Sequence, residues 1–379
     1  MKICIDVRPV QNANRVRGIG VLIGNLLKEM GRQARPDDEF VLITQQGPAP
    51  PRWFSRERRI GTRRPERPNR FNWIADHLQL PGLVERSGAS VFLATDFNSY
   101  LVPPPGIRVV SMLYDVIPFL FREVLAQQPL SIRVGWPLNY RKLRKSDALL
   151  AISGATRDDA VKVFGLDPAR IRVAYPGIDH DLFSPLRAGD PVARERVLAR
   201  YGIAGGFFIY VGDTDWRKNL SRLLAGFARV SGEATLVIAG KRAQSDPELA
   251  ERIRRSGLEG RVKLVGFVPD EELPLLYGAA LALAFPSLYE GFGFPVAEAM
   301  ACGCPVITSN VSSLPEVAGD AGLLVDPESE TEIAAAMERI IGDGNVRERL
   351  RLAGIGQASR FSWERYAAVV LETLRKTDG

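Results

Sequence analysis

Histidine and cysteine are scarce in this 379-residue chain, which has only His77, His180, Cys4, Cys302 and Cys304. Two histidines cannot build a His-rich metal centre. An odd cysteine count without metal-like spacing supports neither a disulfide framework nor a cysteine zinc site, so a reducing cytosol is expected. Long apolar runs are also missing. The uncharged stretch Leu273 to Tyr289, which no other exceeds, is broken by Pro274, Gly278 and Pro286 and reads as helix, turn and buried strand rather than a membrane span. Asp6 and Arg8 interrupt the first apolar stretch, so no cleaved signal peptide is expected. No P-loop sequence occurs. Gly18-Ile-Gly20 lacks the third glycine of a dinucleotide fingerprint and lies well past its strand, which argues against nicotinamide binding.

What is present is the balance of a globular protein, 46% hydrophobic and 25% charged, at a length that predicts two domains. The net charge of +6 is unevenly spread: residues 1 to 184 carry 27 Lys+Arg against 18 Asp+Glu, and the remainder 23 against 26. A basic front half points to an acidic surface, a phosphate or a membrane as partner. Short Val/Ile/Leu/Ala-rich runs without polar alternation predict strands at 3–7, 40–44, 90–94, 108–113, 148–153 and 171–174. A second series is predicted at 207–211, 235–239, 262–265, 281–285, 305–308 and 322–325. Helix-like or turn sequence separates them. The fold class is therefore α/β, with two doubly wound Rossmann-like domains: 1–184, and 185–360 entered through a Pro/Gly-rich linker at 185–205 that encloses one short helix. Ligands of such sheets bind beyond the carboxyl ends of the strands, which places the active site in a cleft between the domains.

Residues 51 to 70 read as an irregular connection rich in arginine (Arg52, Arg56, Arg58, Arg59, Arg63, Arg64, Arg67 and Arg70), with Trp53 and Phe54 at its edge. One reading is a solvated mobile loop. The other is an arm for an anionic membrane surface or a lipid-linked acceptor, with the aromatics settling at the interface. No recognised nucleic-acid module is visible, so no nucleic-acid partner is expected.

The segment Phe285-Pro-Ser-Leu-Tyr-Glu-Gly-Phe-Gly-Phe-Pro-Val-Ala-Glu298 lies between a buried strand and a helix starting near Pro295. Proline suits a first helical turn, so the amides of Gly291, Phe292, Gly293 and Phe294 are expected to point free above the strand end, an anion and hydroxyl site. Glu290 in the loop and Glu298 near the helix start can hold two parts of one ligand. The bland alternative is a glycine turn with a helix-favoured glutamate. Gly212-Asp-Thr-Asp-Trp-Arg-Lys-Asn219 follows the first strand of the same domain and puts Arg217 and Lys218 where a diphosphate meets a helix start. Together these loops predict a nucleotide-diphosphate site.

Glu290-x7-Glu298 enclosing GFGFP, VG…RKNL at 211–220, AYPGID at 174–179 and SNVSSLPEVAGDAGLLVDP at 309–327 resemble glycosyltransferase family four. Gly18-Ile-Gly20 and Tyr114-Asp-Val-Ile-Pro118 extend the match into the front half. The mannosyltransferase-like branch of bacterial polysaccharide and lipopolysaccharide biosynthesis looks most similar. The resemblance implies a retaining, metal-independent hexosyltransferase of GT-B fold, with no cofactor. Its nucleotide-sugar donor, GDP-mannose by branch, would bind the second domain, and its lipid-linked or polysaccharide acceptor the first. It would work in the cytoplasm, peripheral on the inner face of the plasma membrane. In that reading Glu298 takes the ribose hydroxyls, Glu290 with the amides of 291–293 holds the sugar, and Arg217 and Lys218 neutralise the leaving diphosphate. Gly18 and Gly20 form the facing loop, and backbone near Phe267 and Val268 reads the base.

Two positions depart from the family. Tyr114 stands where a histidine often precedes Asp115, and tyrosine is a poor base near neutral pH, so both are carried as candidate contacts. Asp213 stands where some relatives place arginine. Asp213-Thr-Asp215 is also a literal D-x-D, discounted as a metal site because its context belongs to the metal-independent class. An epimerase or phosphorylase of the same architecture, or a non-catalytic nucleotide-sugar-binding protein, are the competing functions. The amphipathic segment 361–379, with Trp363, Tyr366, Val370 and Leu374 near one face, is expected to cross back onto the first domain.

Overall fold

The computed structural model describes residues 1–11, 18–62, 72–96, 105–126 and 130–379. They divide into two compact units, Met1–Gly177 with Trp363–Gly379, and Ile178–Ser362. The first unit is built on β1 (Lys2–Asp6), β2 (Glu39–Thr44), β3 (Glu57–Gly61), β4 (Val91–Ala94), β5 (Arg108–Leu113), β6 (Ala148–Ala151) and β7 (Ile171–Val173). They form one parallel sheet ordered β3-β2-β1-β4-β5-β6-β7. Ile3, Cys4 and Ile5 on its central strand are wholly buried, as a strand covered on both faces requires.

Leu22, Ile23, Leu26, Leu27 and Met30 repeat at helical spacing and are the buried face of helix Ile19–Gln33. The C-terminal helix Trp363–Asp378 packs on that helix within the same unit. Tyr366, Val370 and Leu374 are buried, Gln33 Nε2 donates to Glu364 O at 3.0 Å, and Arg375 Nη2 reaches Asp38 Oδ2 at 3.3 Å. Its charged tail thus grips the start of β2, while its apolar face completes the core.

The second unit holds β8 (Phe207–Val211), β9 (Thr235–Ala239), β10 (Val262–Gly266), β11 (Ala282–Phe285), β12 (Val306–Ser309) and β13 (Leu323–Val325). These are also all parallel, in the order β10-β9-β8-β11-β12-β13. The chain builds outward from β8 to β10, then crosses back to lay β11 on the other side of β8. The order therefore reverses between β8 and β11, the topological switch point where such sheets open a crevice at their carboxyl edge.

Two expectations are corrected. Residues 57–61 of the arginine-rich stretch are not an irregular loop: they form β3, paired with β2 from Phe40↔Glu57 to Thr44↔Gly61. Phe54 does not settle at a membrane interface; it is buried, its ring stacked 3.7 Å from that of Phe40. Arg58 Nη2 donates to Ser87 O at 2.7 Å, Arg59 Nη2 to Pro51 O at 2.9 Å, and Arg56 pairs with Glu39, so these cations tie an edge strand down. Arg63, Arg64, Arg67 and Arg70 lie outside the described residues. Residues 185–205 are not a linker with one helix either. They carry two, Pro185–Ala188 and Pro191–Arg200, both packed on helix Leu273–Ala279 inside the second unit. The approach is so close that a Cβ on Gly278 would lie 2.2 Å from the Ala188 carbonyl oxygen. Among the described residues no helix is long and apolar enough to cross a membrane.

Candidate active site

The loop after β8 is folded by its own carboxylates. Asp215 Oδ1 accepts the Arg217 amide at 3.1 Å and the Arg217 Nε at 2.9 Å, closing the three-residue 3-10 turn Trp216–Lys218. Asn219 then takes a left-handed conformation, φ 59°, and begins the helix Leu220–Ala228. Its buried side-chain amide donates to Pro286 O at 2.8 Å and to Pro327 O at 2.7 Å. One residue thereby joins the loop after β8 to the loop after β11 and to the chain after β13.

The loop after β11 is held as firmly. Ser287 Oγ lies 2.8 Å from Arg217 O and 2.7 Å from Glu290 Oε1, and Leu288 N donates to Arg217 O at 2.7 Å. The Glu290 amide donates to Ser312 Oγ at 3.1 Å, and Ser313 Oγ lies 2.9 Å from Glu290 O and 2.7 Å from Phe292 O. Gly293 caps the helix Phe294–Ala301 at φ 112°, where a Cβ would also meet Leu314 Cδ2 at 2.8 Å. Only glycine fits that cap.

This scaffold brings Lys218 and Glu290 together across the switch point. Lys218 Nζ donates to Glu290 Oε1 at 2.8 Å and sits 4.9 Å from the Phe285 ring centroid. The side chains are only 18% and 12% exposed, yet they stand at loop ends where water or a ligand can reach them. A cation and a carboxylate thus share one crevice beside a helix N-terminus.

Other candidates are placed differently. The Arg217 guanidinium is turned onto Asp215, beside Lys218 in sequence but not in the Lys218–Glu290 pair. Glu298 is not in the first helical turn: it is the fifth residue of Phe294–Ala301, half-buried, and burial, then the charge of Asp270, push its carboxyl up to about 8. Just before the glycine loop the Glu290 amide donates to Ser312 Oγ, and within it the Phe292 ring is buried against Phe294 and Phe361. Phe267 is 63% exposed after β10 and Val268 is buried. Asp213 Oδ1 accepts the Arg242 amide at 2.9 Å and Asp215 caps its turn, so both carboxylates of the D-x-D have protein partners.

In the first unit Gly18, φ 49°, caps helix Ile19–Gln33 and Gly20 is buried in its first turn. Tyr114 is buried. Its hydroxyl donates to Thr95 O at 2.6 Å, and burial holds its pKa well above the usual phenol value. Asp115 Oδ1 accepts the Ile117 amide at 3.1 Å, and its carbonyl accepts Tyr140 Oη at 3.1 Å. Sequence reasoning missed Ser287, Ser312, Ser313 and Asn219 as the frame of the pair. Only Ser313, standing before Leu-Pro at a helix start, carried a local signal.

Residues 204–357 match the model for Glycosyl transferases group 1, and residues 16–182 match that for Glycosyltransferase Family 4. The O-antigen chain mannosyltransferase B of Escherichia coli is 36% identical over 281 residues, 71% of this chain and 72% of that protein. The chain belongs to glycosyltransferase family four. This glycosyltransferase is also 28% identical over 291 residues, 73% of its length, to the serotype-specific mannosyltransferase WbdA of Escherichia coli, but spans only 35% of that longer protein. Among solved structures it superposes on Anabaena Alr3699/HepE in complex with UDP and glucose, with a TM-score of 0.74, 20% identity, and coverage of 99% and 100% of the two chains. It likewise matches WaaG, a glycosyltransferase involved in lipopolysaccharide biosynthesis, at TM-score 0.69, 16% identity and 99% coverage of both chains. The two parallel-sheet domains are those of the GT-B fold.

Proposed function

We propose that this glycosyltransferase moves mannose from GDP-mannose to a lipid-linked or polysaccharide acceptor, with retention and without a metal. The observation that carries the reading is the Lys218–Glu290 pair at the switch point of the second sheet. The likeness to mannosyltransferases supports mannose as the sugar. Donor binding exchanges the contact between the two side chains for two better ones: Lys218 moves to the diphosphate and Glu290 accepts hydroxyls of the sugar. Ser287 stays beside both positions and keeps the carboxylate aimed.

As the glycosidic bond lengthens, negative charge grows on the leaving phosphate and positive character on the sugar. Lys218, with Arg217 released from Asp215, offsets the first, and Glu290 offsets the second, in a site already organised before reaction. A phosphate oxygen takes the acceptor's proton, and the acceptor oxygen attacks the face that the phosphate leaves. Configuration is retained and no enzymic nucleophile is needed. Glu298 takes the ribose hydroxyls. The setting is the cytoplasmic face of the plasma membrane, where a lipid-linked acceptor is presented.

Calorimetric titration with GDP, UDP, ADP and dTDP in EDTA, using Lys218→Ala as control, tests the donor. Binding of GDP that disappears in the variant supports the reading, and transfer of labelled mannose with retained linkage completes it. Binding of UDP instead reassigns the donor. Binding only after Mg²⁺ or Mn²⁺ is restored overturns metal independence.

A further inference from the structure

Beside the loop that carries Lys218 lies a cavity of about 340 Å³, within the range of small-ligand sites, which the donor chemistry leaves unused. Its platform is Trp216, 46% exposed on the rigid 3-10 turn that Asp215 and Asn219 hold. Its opposite wall is the start of helix Pro247–Arg255, where Asp246 Oδ1 accepts the amides of Glu248 and Leu249 at 3.0 and 3.2 Å. Between them Arg252 Nη1 donates to Ser221 Oγ at 2.7 Å. Leu288, two residues before Glu290, closes the side nearest the donor loops.

We propose that this cavity is a subsite for a neutral, hexose-rich glycan, the acceptor or the growing product chain. Trp216, 46% exposed, keeps apolar indole surface in water, and the C–H face of a pyranose can cover such surface without a charge. Around the indole stand carboxylates, two guanidinium groups (Arg222 and Arg252) and two hydroxyls (Thr214 and Ser221), which together accept from and donate to sugar hydroxyls. The lining mixes both charge signs, so it does not select an anion. A glycan held here stays at high local concentration beside the transfer site, which favours repeated addition to one chain.

The inference rests on the transferase reading, and the test keeps the two apart. Affinity electrophoresis in gels containing soluble mannan, with dextran gels as comparison, reads the subsite; titration with GDP reads the donor site. The expected result is retardation by mannan that weakens about tenfold in Trp216→Ala and is retained in Trp216→Phe, with GDP affinity unchanged. Should Trp216→Ala lose both ligands through collapse of the turn, Arg252→Ala on the far wall decides. Loss of mannan retardation alone supports the subsite, and unchanged retardation overturns it. No retardation of the parent protein, or equal retardation in dextran, also overturns it, whether or not GDP binds.

Discussion

The carboxyl edges of the two sheets are built from the same kinds of residue and do opposite things. At the first, Asp6 and Arg8 form a two-point ion pair at 2.8 Å, both almost fully buried, with Lys142 buried close by, its pKa lowered to about 7 by burial. Hydroxyls of Tyr114 and Tyr140 spend their protons on strand-end carbonyls. At the second, Lys218 and Glu290 meet through one contact at loop ends, with Ser287 Oγ on the same Glu290 oxygen and Ser312 and Asn219 bracing the loops. Charge buried in a two-point ion pair fixes a fold, whereas in the proposed reading a pair joined by one contact on a rigid frame is handed to a ligand.

The largest effect is expected where the first edge is broken. Arg8→Ala removes the two-point contact on the buried Asp6 carboxylate and is expected to cost about 3–5 kcal/mol, read from urea unfolding. A loss below roughly 1 kcal/mol would show that the pair is no more structural than an exposed one. Lys218→Ala should do the reverse. Transfer falls on the order of 10²–10³-fold, as when one preorganised charge-stabilising donor is removed, while the melting temperature stays put. A melting temperature that falls with activity would erase the contrast between the edges.

Asn219→Ala sits between these extremes. Two buried hydrogen bonds disappear and alanine must take the left-handed conformation, so stability drops by roughly 2 kcal/mol and donor affinity weakens with it. If affinity for GDP survives with stability reduced, the frame braces the fold without aiming the site.

Sequence periodicity made the sheet architecture legible, because buried parallel strands are apolar throughout and the helix Ile19–Gln33 repeats its core face at regular spacing. β3 was illegible: Glu57-Arg-Arg-Ile-Gly61 has no apolar run, since an edge strand is half solvated and its arginines bond sideways to Ser87 and Pro51. Glu290, Lys218 and the glycine loop could be named from residue type and spacing. Their mutual contact could not, because they are 72 residues apart and meet only through the reversal of strand order between β8 and β11. Ser287 and Asn219 were hidden for the same reason, since their partners lie on loops that only the sheet brings together.

The smallest effect is a proton. Burial and the nearby Asp270 raise the Glu298 carboxyl to about 8, so near neutral pH it is mostly protonated in the free protein. Folding then takes up a proton between the ordinary carboxyl range and pH 8. The associated stability is fully present below about pH 4.5 and is lost as pH rises through 8. In the proposed reading ribose hydroxyls donate to the ionised form, so nucleotide binding is expected to pull the pKa down and release a proton. Affinity for GDP should therefore rise from pH 6 to 8 and level off above. Calorimetry at pH 7 in buffers of different ionisation enthalpy should count close to one proton released per nucleotide. Glu298→Gln should abolish both the release and the slope. Release that persists in that variant would assign the proton to another group and move the ribose away from Glu298.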